Sequence, residues 1–399
     1  MKHIFALLLC ATLTVSLLGC GHTDNPPTTT SQETTETTAP TQGATQNTTP
    51  IITPEQKPMV AVSLPVITET TTSGKTILFK NVYQNIELIL PEPEVAEKVI
   101  LDFLIRTDTG NTADTICAQA EKDYKSTSQY WNPYLCQITY DPMRIDGGIL
   151  SLYGSHITYD GAAHAGVVNK SVSYDLVTGE VLSLDQVLTN ISTDELYTLV
   201  LASLNDQKEA EQLYIGFEST VKERFSKDLS SERDWFFSDE GLCFFFSTYE
   251  ISPYASGDVV ATVPYEKLAG KMDDAYFPAE QDITYGTIRA EVFTDKQLDA
   301  YTQMAEVTLD AEGSKIVIYT DLSVQNVQIE LGSWSADGAQ YTPSHKVFAS
   351  PALTPGDGIV LQCSADGLPA LRISYLRGGE LCYAYISLNQ QNNTVSIKG

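Results

Sequence analysis

Residues 159–188, YDGAAHAGVVNKSVSYDLVTGEVLSLDQVL, and residues 236–268, FFSDEGLCFFFSTYEISPYASGDVVATVPYEKL, are the two runs on which the fold of this chain turns. In the first, Gly161, Ala162, Ala163, Ala165 and Gly166 bracket His164, so the backbone can turn sharply or come close to another segment. Val172, Tyr174 and Leu176 then alternate with Ser171, Ser173 and Asp175, the period of a half-buried strand. Thr178-Gly179 predicts a tight turn back through Glu180 to Ser183, giving a hairpin. In the second run Asp239-Glu240-Gly241 joins two strands, and Ser256-Gly257-Asp258 leads into a third over Val259 to Val263. The continuous apolar run at 242–246 predicts a strand covered on both faces.

Outward from these runs the pattern alternates between strands and helices. Strands are predicted around Val60 to Val66, Ile77 to Phe79 and Ile86 to Leu90; Pro91 and Pro93 then open a helix carrying Val95, Val99, Ile100, Phe103 and Leu104. A second helix sets Ile116, Cys117, Ala120 and Tyr124 on one face, and strands follow near 135–140 and 149–153. After the hairpin, Ser192-Thr193-Asp194-Glu195 is a capping-box pattern ahead of Leu196, Leu199, Val200 and Leu204. Leu213, Phe217, Val221 and Phe225 recur every four residues in a further helix. Helices between strand pairs predict an α+β fold, an antiparallel sheet with helices on one face. Beyond residue 283, seven short apolar runs separated by DAEGS, SADG, TPGDG and RGGE turns predict an all-β sandwich.

At Tyr159-Asp160-Gly161-Ala162-Ala163-His164, at Asp175-Leu176-Val177-Thr178-Gly179 and at the YEISPYASG segment from Tyr249 to Gly257, the chain resembles a known extracellular family. That family, of unknown biochemical function, occurs in lysozyme-sensing anti-sigma factors of the RsiV type and beside the catalytic domain of PdaC-type peptidoglycan deacetylases. Ala162 stands where the family usually has a second glycine. The resemblance implies a non-catalytic extracellular binding module with lysozyme or another cationic wall-active protein as partner. The candidate ligand surface is Tyr159, Asp160 and His164 with Tyr249, Glu250 and Tyr254, on loops expected to lie close together.

The N-terminus supplies the expected address. Lys2 and His3 precede an apolar run from Ile4 to Leu18, too short to span a bilayer and suited to a signal peptide, ending Leu17-Leu18-Gly19-Cys20. This end is similar to the lipobox of bacterial lipoproteins, so Cys20 is the expected lipidation site and the chain is expected to be anchored to the cell membrane, facing outward. Residues 21–58 are rich in Thr, Pro, Gln and Ser and nearly free of apolar side chains, a composition that does not fold. As a coil this tether averages about 35 Å end to end and reaches about 125 Å when stretched. The expected organisation is therefore signal peptide 1–20, tether 21–58, an α+β subdomain 59–155, the family-like α+β domain 156–280 and the sandwich 281–399. No later segment has eighteen consecutive apolar residues.

With 24 basic against 51 acidic residues, the formal net charge of −27 argues against nucleic acid and anionic lipid as partners and is compatible with cationic ones. Of seven cysteines, Cys10 and Cys20 fall in or at the end of the signal peptide. Outside the membrane, Cys117 with Cys136 and Cys363 with Cys382 are candidate disulfide couples; the alternative is that all five remaining cysteines are buried thiols acting as small hydrophobes. No C-x-x-C, G-x-S-x-G, H-E-x-x-H or phosphate loop occurs. His156, Asp160 and His164, even with Glu250, share no face fixed by their spacing, so neither a metal site nor a cofactor is expected. The alternatives to protein capture are a cell-wall glycan-binding or scaffold lipoprotein that uses the sandwich and, ranked last, a peptidoglycan-modifying enzyme.

Overall fold

A computed structural model describes residues 57–398 apart from 64–65, 73–74, 126–129, 147, 208–211, 227–233, 279–283, 310–312, 337–339, 364–369 and 390–393. The expected signal peptide, Cys20 and nearly all of the expected tether lie outside the described residues.

The first strands are β1 (Met59–Val62), β2 (Val66–Thr71), β3 (Ile77–Tyr83) and β4 (Ile86–Ile89). They lead into α1 (Pro93–Thr107), which starts where the sequence places it because Pro93 occupies the first turn and loses no hydrogen bond there. Ala96, Val99 and Phe103 recur at helical spacing and are buried. The second helix, α2 (Gly110–Asp123), buries Ala113, Ile116 and Ala120. Two long strands, β5 (Tyr134–Ile145) and β6 (Ile149–Tyr159), and then β7 (Gly166–Asp175) complete a sheet in the order β2-β3-β5-β6-β7. It is antiparallel except for the β3–β5 pair. The predicted return of the hairpin shrinks to one bridge, Tyr174 to Val181, before α3 (Leu184–Val187).

Next come α4 (Thr193–Gln207), α5 (Phe217–Phe225), β8 (Trp235–Phe237), β9 (Gly241–Phe246), β10 (Val259–Pro264) and α6 (Tyr265–Leu268). The predicted cap of α4 is present: the Ser192 hydroxyl accepts the Glu195 amide at 3.2 Å. All six residues of β9 are buried, and the strand serves two cores. Leu242, Phe244 and Phe246 face α4 and α5, while Cys243 and Phe245 pack with Phe236 against Met143 and Tyr153 of β5 and β6. Each such phenylalanine contributes about 1.5–3 kcal/mol through burial, so this strand fastens the three-stranded sheet β10-β9-β8 to the five-stranded one.

The C-terminal part is a sandwich. Its strands are β11 (Ile288–Val292), β12 (Gln303–Thr308), β13 (Ser314–Thr320), β14 (Val324–Trp334), β15 (Tyr341–Leu353), β16 (Asp357–Cys363), β17 (Ala370–Arg377), β18 (Glu380–Asn389) and β19 (Thr394–Lys398). One sheet runs β11-β13-β16-β12; the other runs β19-β18-β17-β14-β15-β1-β4. Among the described residues nine strands thus stand where seven were expected. The sequence hides β15 because Pro343 and Pro351 interrupt it; the structure accommodates Pro343 opposite Gly332, where the register shifts.

Two expected boundaries are corrected. Positions 155 and 156 fall inside β6, whose pairing with β7 is continuous from Ile149–Asp175 to Thr158–Gly166. Strands β1 and β4, expected in the N-terminal subdomain, extend the sandwich sheet through Val60–Ala349 and Ala61–Phe348. The reason lies in the two faces of MVAV: Met59 and Ala61 enter the sandwich core, while Val60 and Val62 enter the core under α1. Pro54–Gly399 is accordingly one compact unit.

Candidate functional site

The β6–β7 loop and the β9–β10 loop meet. In the first, Gly161 has φ +92°, and a Cβ there would sit 2.3 Å from the Tyr134 hydroxyl. The glycine is therefore required both by conformation and by the Tyr134 ring lying against it. Tyr134 donates to Asp123 at 3.0 Å and stacks on Trp131 at 5.1 Å, and its phenol pKa is pushed up to about 12 by burial and by the Asp123 carboxylate. The Tyr159 ring meets Tyr134 edge-on at 5.8 Å, so Tyr159 belongs to this packed aromatic row. Ala162 is absent from the positive-φ residues, so alanine fits there without backbone strain.

Asp160 to His164 are exposed, and the His164 ring lies 5.6 Å from that of Tyr254, which in turn lies 5.5 Å from Tyr249. The three rings form one exposed row joining two loops that are 90 residues apart in sequence. Tyr249 is 60% exposed and holds φ +68°, a left-handed conformation that costs an L residue about 1–2 kcal/mol. The turn is over-determined by its surroundings: the Tyr249 amide donates to Ser252 O at 3.1 Å and the Glu250 amide to Ser247 O at 3.0 Å.

Glu250 stands apart from the other five candidates. Its carboxylate accepts the Ser247 amide at 3.0 Å and an Arg224 Nη1–H at 3.2 Å. Arg224 also donates to Phe245 O at 2.7 Å and lies 4.7 Å over the Phe246 ring. The residue is thus engaged in holding the loop onto β9 and α5, next to Tyr249.

Of the two readings of the cysteines the structure has the second: none of Cys117, Cys136, Cys243, Cys363 and Cys382 is in a disulfide. The Cys117 thiol lies 3.4 Å from the Thr70 hydroxyl, and Cys136 Sγ lies 3.4 Å from His156 Nε2. Cys363 is on β16 and Cys382 on β18, in opposite sheets of the sandwich. Burial pushes the Cys136 and Cys243 thiols above the usual range, so both are held protonated and unreactive. His156, with its pKa lowered by burial and by Lys170, is engaged with Cys136 and is separate from the His164 row. Among the described residues no three His, Cys, Asp or Glu side chains converge as a metal site.

Sequence reasoning missed Arg144. It is almost fully buried on β5, donates to Asp146, to the Tyr265 hydroxyl at 2.8 Å and to Tyr276 O at 2.8 Å, and lies between the rings of Phe237 and Tyr265. A cation hidden in a strand has no periodic signature. A second omission is a cavity of about 380 Å³ beside the β8–β9 turn, walled by Tyr153, Phe236 and Val260 and bordered by Asp239 and Lys346. Burial lowers the Lys346 pKa, with Asp239, Glu330 and Asp141 opposing. The Asp239-Glu240 turn predicted from sequence is here, and Asp239 accepts a hydrogen bond from Gln328 of the sandwich at 2.7 Å.

Fold and site together define a mixed α+β protein whose helix-bearing part presents an exposed aromatic row and whose C-terminal part is a β-sandwich. Residues 186–266, from α3 to α6, match the model of DUF3298, a protein family of unknown function. The match takes in the Tyr249 to Gly257 loop and starts after the His164 loop. Two solved structures of this family are similar to the chain. A DUF3298 member from Bacteroides fragilis is 16% identical, with a TM-score of 0.40 over 54% of this chain and 94% of that one. A DUF3298 protein from Pseudomonas aeruginosa PAO1 is 16% identical, with a TM-score of 0.36 over 55% of this chain and 98% of that one. No curated protein matches.

Proposed function

We propose that the chain is a non-catalytic extracellular binding module, carried on the outer face of the cell membrane by lipid on Cys20, that captures a cationic wall-active protein such as lysozyme. The observation that carries this reading is the exposed row His164–Tyr254–Tyr249, built from the two segments that resemble the RsiV-type and PdaC-type extracellular family. Exposed tyrosines on rigid turns supply large contact area at low entropic cost, the usual anchor of a protein interface. Asp160 lies exposed beside the row, and the chain's net charge of −27 steers a cationic partner toward it. The strained φ of Tyr249 fits a residue kept for contact, since glycine would hold the same turn without strain.

Calorimetric titration of the full chain, purified in detergent, with a cationic lysozyme at low and moderate salt tests this reading. The expected result is saturable one-to-one binding that survives moderate salt and weakens at least tenfold in Tyr254→Ala. Heat that vanishes with salt, or binding indifferent to Tyr254→Ala and His164→Ala, would overturn it.

A further inference from the structure

The cavity of about 380 Å³ beside the β8–β9 turn lies where the five-stranded sheet, the three-stranded sheet and the sandwich meet. Met143 of β5, Tyr153 of β6, Phe236 of β8 and Val260 of β10 give it an apolar wall, in which the Tyr153 and Phe236 rings stack at 4.6 Å. Lys346 of β15 enters from the sandwich, and Asp239 and Glu240 border the cavity from the turn. Small-molecule pockets concentrate at such junctions, and this volume is at the low end of the roughly 300–1,000 Å³ that they span. It has room for one small molecule.

Most polar groups around the cavity are already satisfied. The Ser238 hydroxyl donates to Gly241 O at 3.2 Å and accepts the Gly241 amide at 3.2 Å, the Tyr153 hydroxyl donates to Asp258 at 3.2 Å, and Cys243 Sγ lies 3.4 Å from Thr262 Oγ1. Lys346 is different: among the described residues its amine makes no hydrogen bond and no ion pair. The three acids that act on it are engaged elsewhere. Glu330 is forked onto Arg372 at 2.8 and 2.7 Å, Asp141 faces His345 at 3.6 Å, and Asp239 Oδ2 accepts from Gln328 at 2.7 Å. Burial holds the Lys346 pKa below that of a free lysine against the pull of these three carboxylates, as expected of a cation short of a partner. A charge kept from water without a partner is costly, so a ligand that supplies the partner gains affinity from it. On the opposite border, Asp239 Oδ1 has no hydrogen-bond partner among the described residues, and Glu240 is exposed beside it.

Charge and wall together select the occupant. An anion meets Lys346 but also Asp239, Glu240 and a chain of net charge −27; a cation meets the two acids but also Lys346. An uncharged molecule leaves both signs unpaired, and a wholly hydrophilic one gains nothing from the apolar wall. A molecule that carries one charge of each sign and an apolar body answers all three features. We infer that this cavity binds a small zwitterion with an apolar side chain, a free α-amino acid or a short peptide. Its carboxylate meets Lys346, its ammonium meets Asp239 and Glu240, and its side chain packs on the wall of Met143, Tyr153, Phe236 and Val260. The sandwich thus reads one charge of the ligand and the β8–β9 turn reads the other. The site is independent of the His164–Tyr254–Tyr249 row, because Lys346, Asp239 and Glu240 lie on neither the β6–β7 nor the β9–β10 loop.

The test is calorimetric titration of the full chain, purified in detergent, with L-leucine, L-phenylalanine and leucyl-leucine. Three controls take the ligand apart: N-acetyl-L-leucine keeps the carboxylate and loses the ammonium, L-leucinamide does the reverse, and glycine keeps both charges without an apolar body. The expected result is saturable one-to-one binding of at least one apolar zwitterion, at least tenfold tighter than any control. Binding of leucyl-leucine alone assigns the site to peptides, and binding of leucine or phenylalanine assigns it to free amino acids. Lys346→Met and Asp239→Asn are each expected to weaken binding at least tenfold with the melting temperature close to the parent's, since methionine keeps most of the stem and asparagine still accepts from Gln328. The controls act on the parent chain, so the test stands even where a variant fails to fold. Tyr254→Ala leaves this binding unchanged, whatever it does to lysozyme capture. The proposal is overturned by a cavity that takes up none of the three zwitterions and holds water alone, by any control that binds as tightly, or by affinity unmoved in either folded variant.

Discussion

Replacing Gly161 by alanine puts the geometry of the candidate site under direct strain. At φ +92° an L residue costs about 1–2 kcal/mol relative to glycine. The new Cβ would lie 2.3 Å from Tyr134 Oη and 2.8 Å from Cζ, so the phenol has to retreat by roughly an ångström, against a ring stacked on Trp131. That retreat weakens the Tyr134–Asp123 hydrogen bond and disturbs the stack on Trp131, and overpacking of this kind costs about 1–3 kcal/mol. Because the loop is exposed and can absorb part of the movement, the sum expected is about 2–4 kcal/mol. For a unit of roughly 350 residues the unfolding entropy is about 0.7 kcal/mol per kelvin, which translates into a melting temperature lower by about 3–6 °C. Differential scanning calorimetry measures that shift. Absorbance titration of tyrosine supplies a second readout: the Tyr134 phenol, raised by burial and by Asp123, is expected to titrate lower once its contact with Asp123 is loosened. Ala162→Gly is the control, expected to change stability by no more than about 1 kcal/mol because residue 162 carries no positive φ. A Gly161→Ala variant that melts within a degree of the parent, with its tyrosine titration unmoved, would refute the claim that Tyr134 and Gly161 hold this loop.

Other perturbations follow from the same contacts. Arg144→Met is expected to lower stability by about 3–5 kcal/mol, measured by urea denaturation, because it strands the Asp146 carboxylate and the Tyr276 carbonyl that the guanidinium satisfies. His345 lies 3.6 Å from Asp141, whose carboxylate raises its pKa above the usual value. A raised histidine pKa stabilises the fold fully below about 6.5, the unfolded value, and that stabilisation fades as pH rises through the folded value. The melting temperature between pH 6 and 8 is therefore expected to fall more steeply in the parent chain than in His345→Gln; equal slopes would count against the pair. Tyr249→Gly removes the backbone strain and the ring together, so thermal stability is expected to stay within about 1 kcal/mol while lysozyme capture drops at least tenfold.

Much of the helix-bearing part is legible in the sequence because its signals are local. Pro93 marks the start of α1, the Ser192 cap marks α4, and the run Leu242 to Phe246 announces a strand with a core on each side. The meeting of the His164 and Tyr254 loops follows once both runs are known to flank paired strands. What stays hidden depends on partners distant in the chain. MVAV at β1 shows no alternation, because its two faces enter two different cores, one of them built from residues near 350. Strand β15 is masked by two prolines whose positions become tolerable only beside the register shift opposite Gly332. The ring cluster around Trp334 is invisible for a related reason: its rings come from three separated strands, and alternation within CYAY shows that Tyr383 and Tyr385 share a face without showing what lies beside them. The role of Glu250 is equally non-local, since Arg224 claims it from α5.

The shared strand ties the helix-bearing part to the sandwich. Because β1 closes the sandwich sheet with Met59 and Ala61 and roofs the α1 core with Val60 and Val62, neither core is complete without it. The chain from 156 onward lacks β1, β5 and the first half of β6, and so loses the Met143 and Tyr153 cover over Cys243 and Phe245. A fragment of residues 156–280 would expose that apolar face of β9, and a fragment of 281–399 would leave β15 with an unpaired edge where β1 belongs. The row on the β6–β7 and β9–β10 loops and the sandwich therefore belong to one compact body, with Gln328 reaching across to Asp239 as a direct link between the parts.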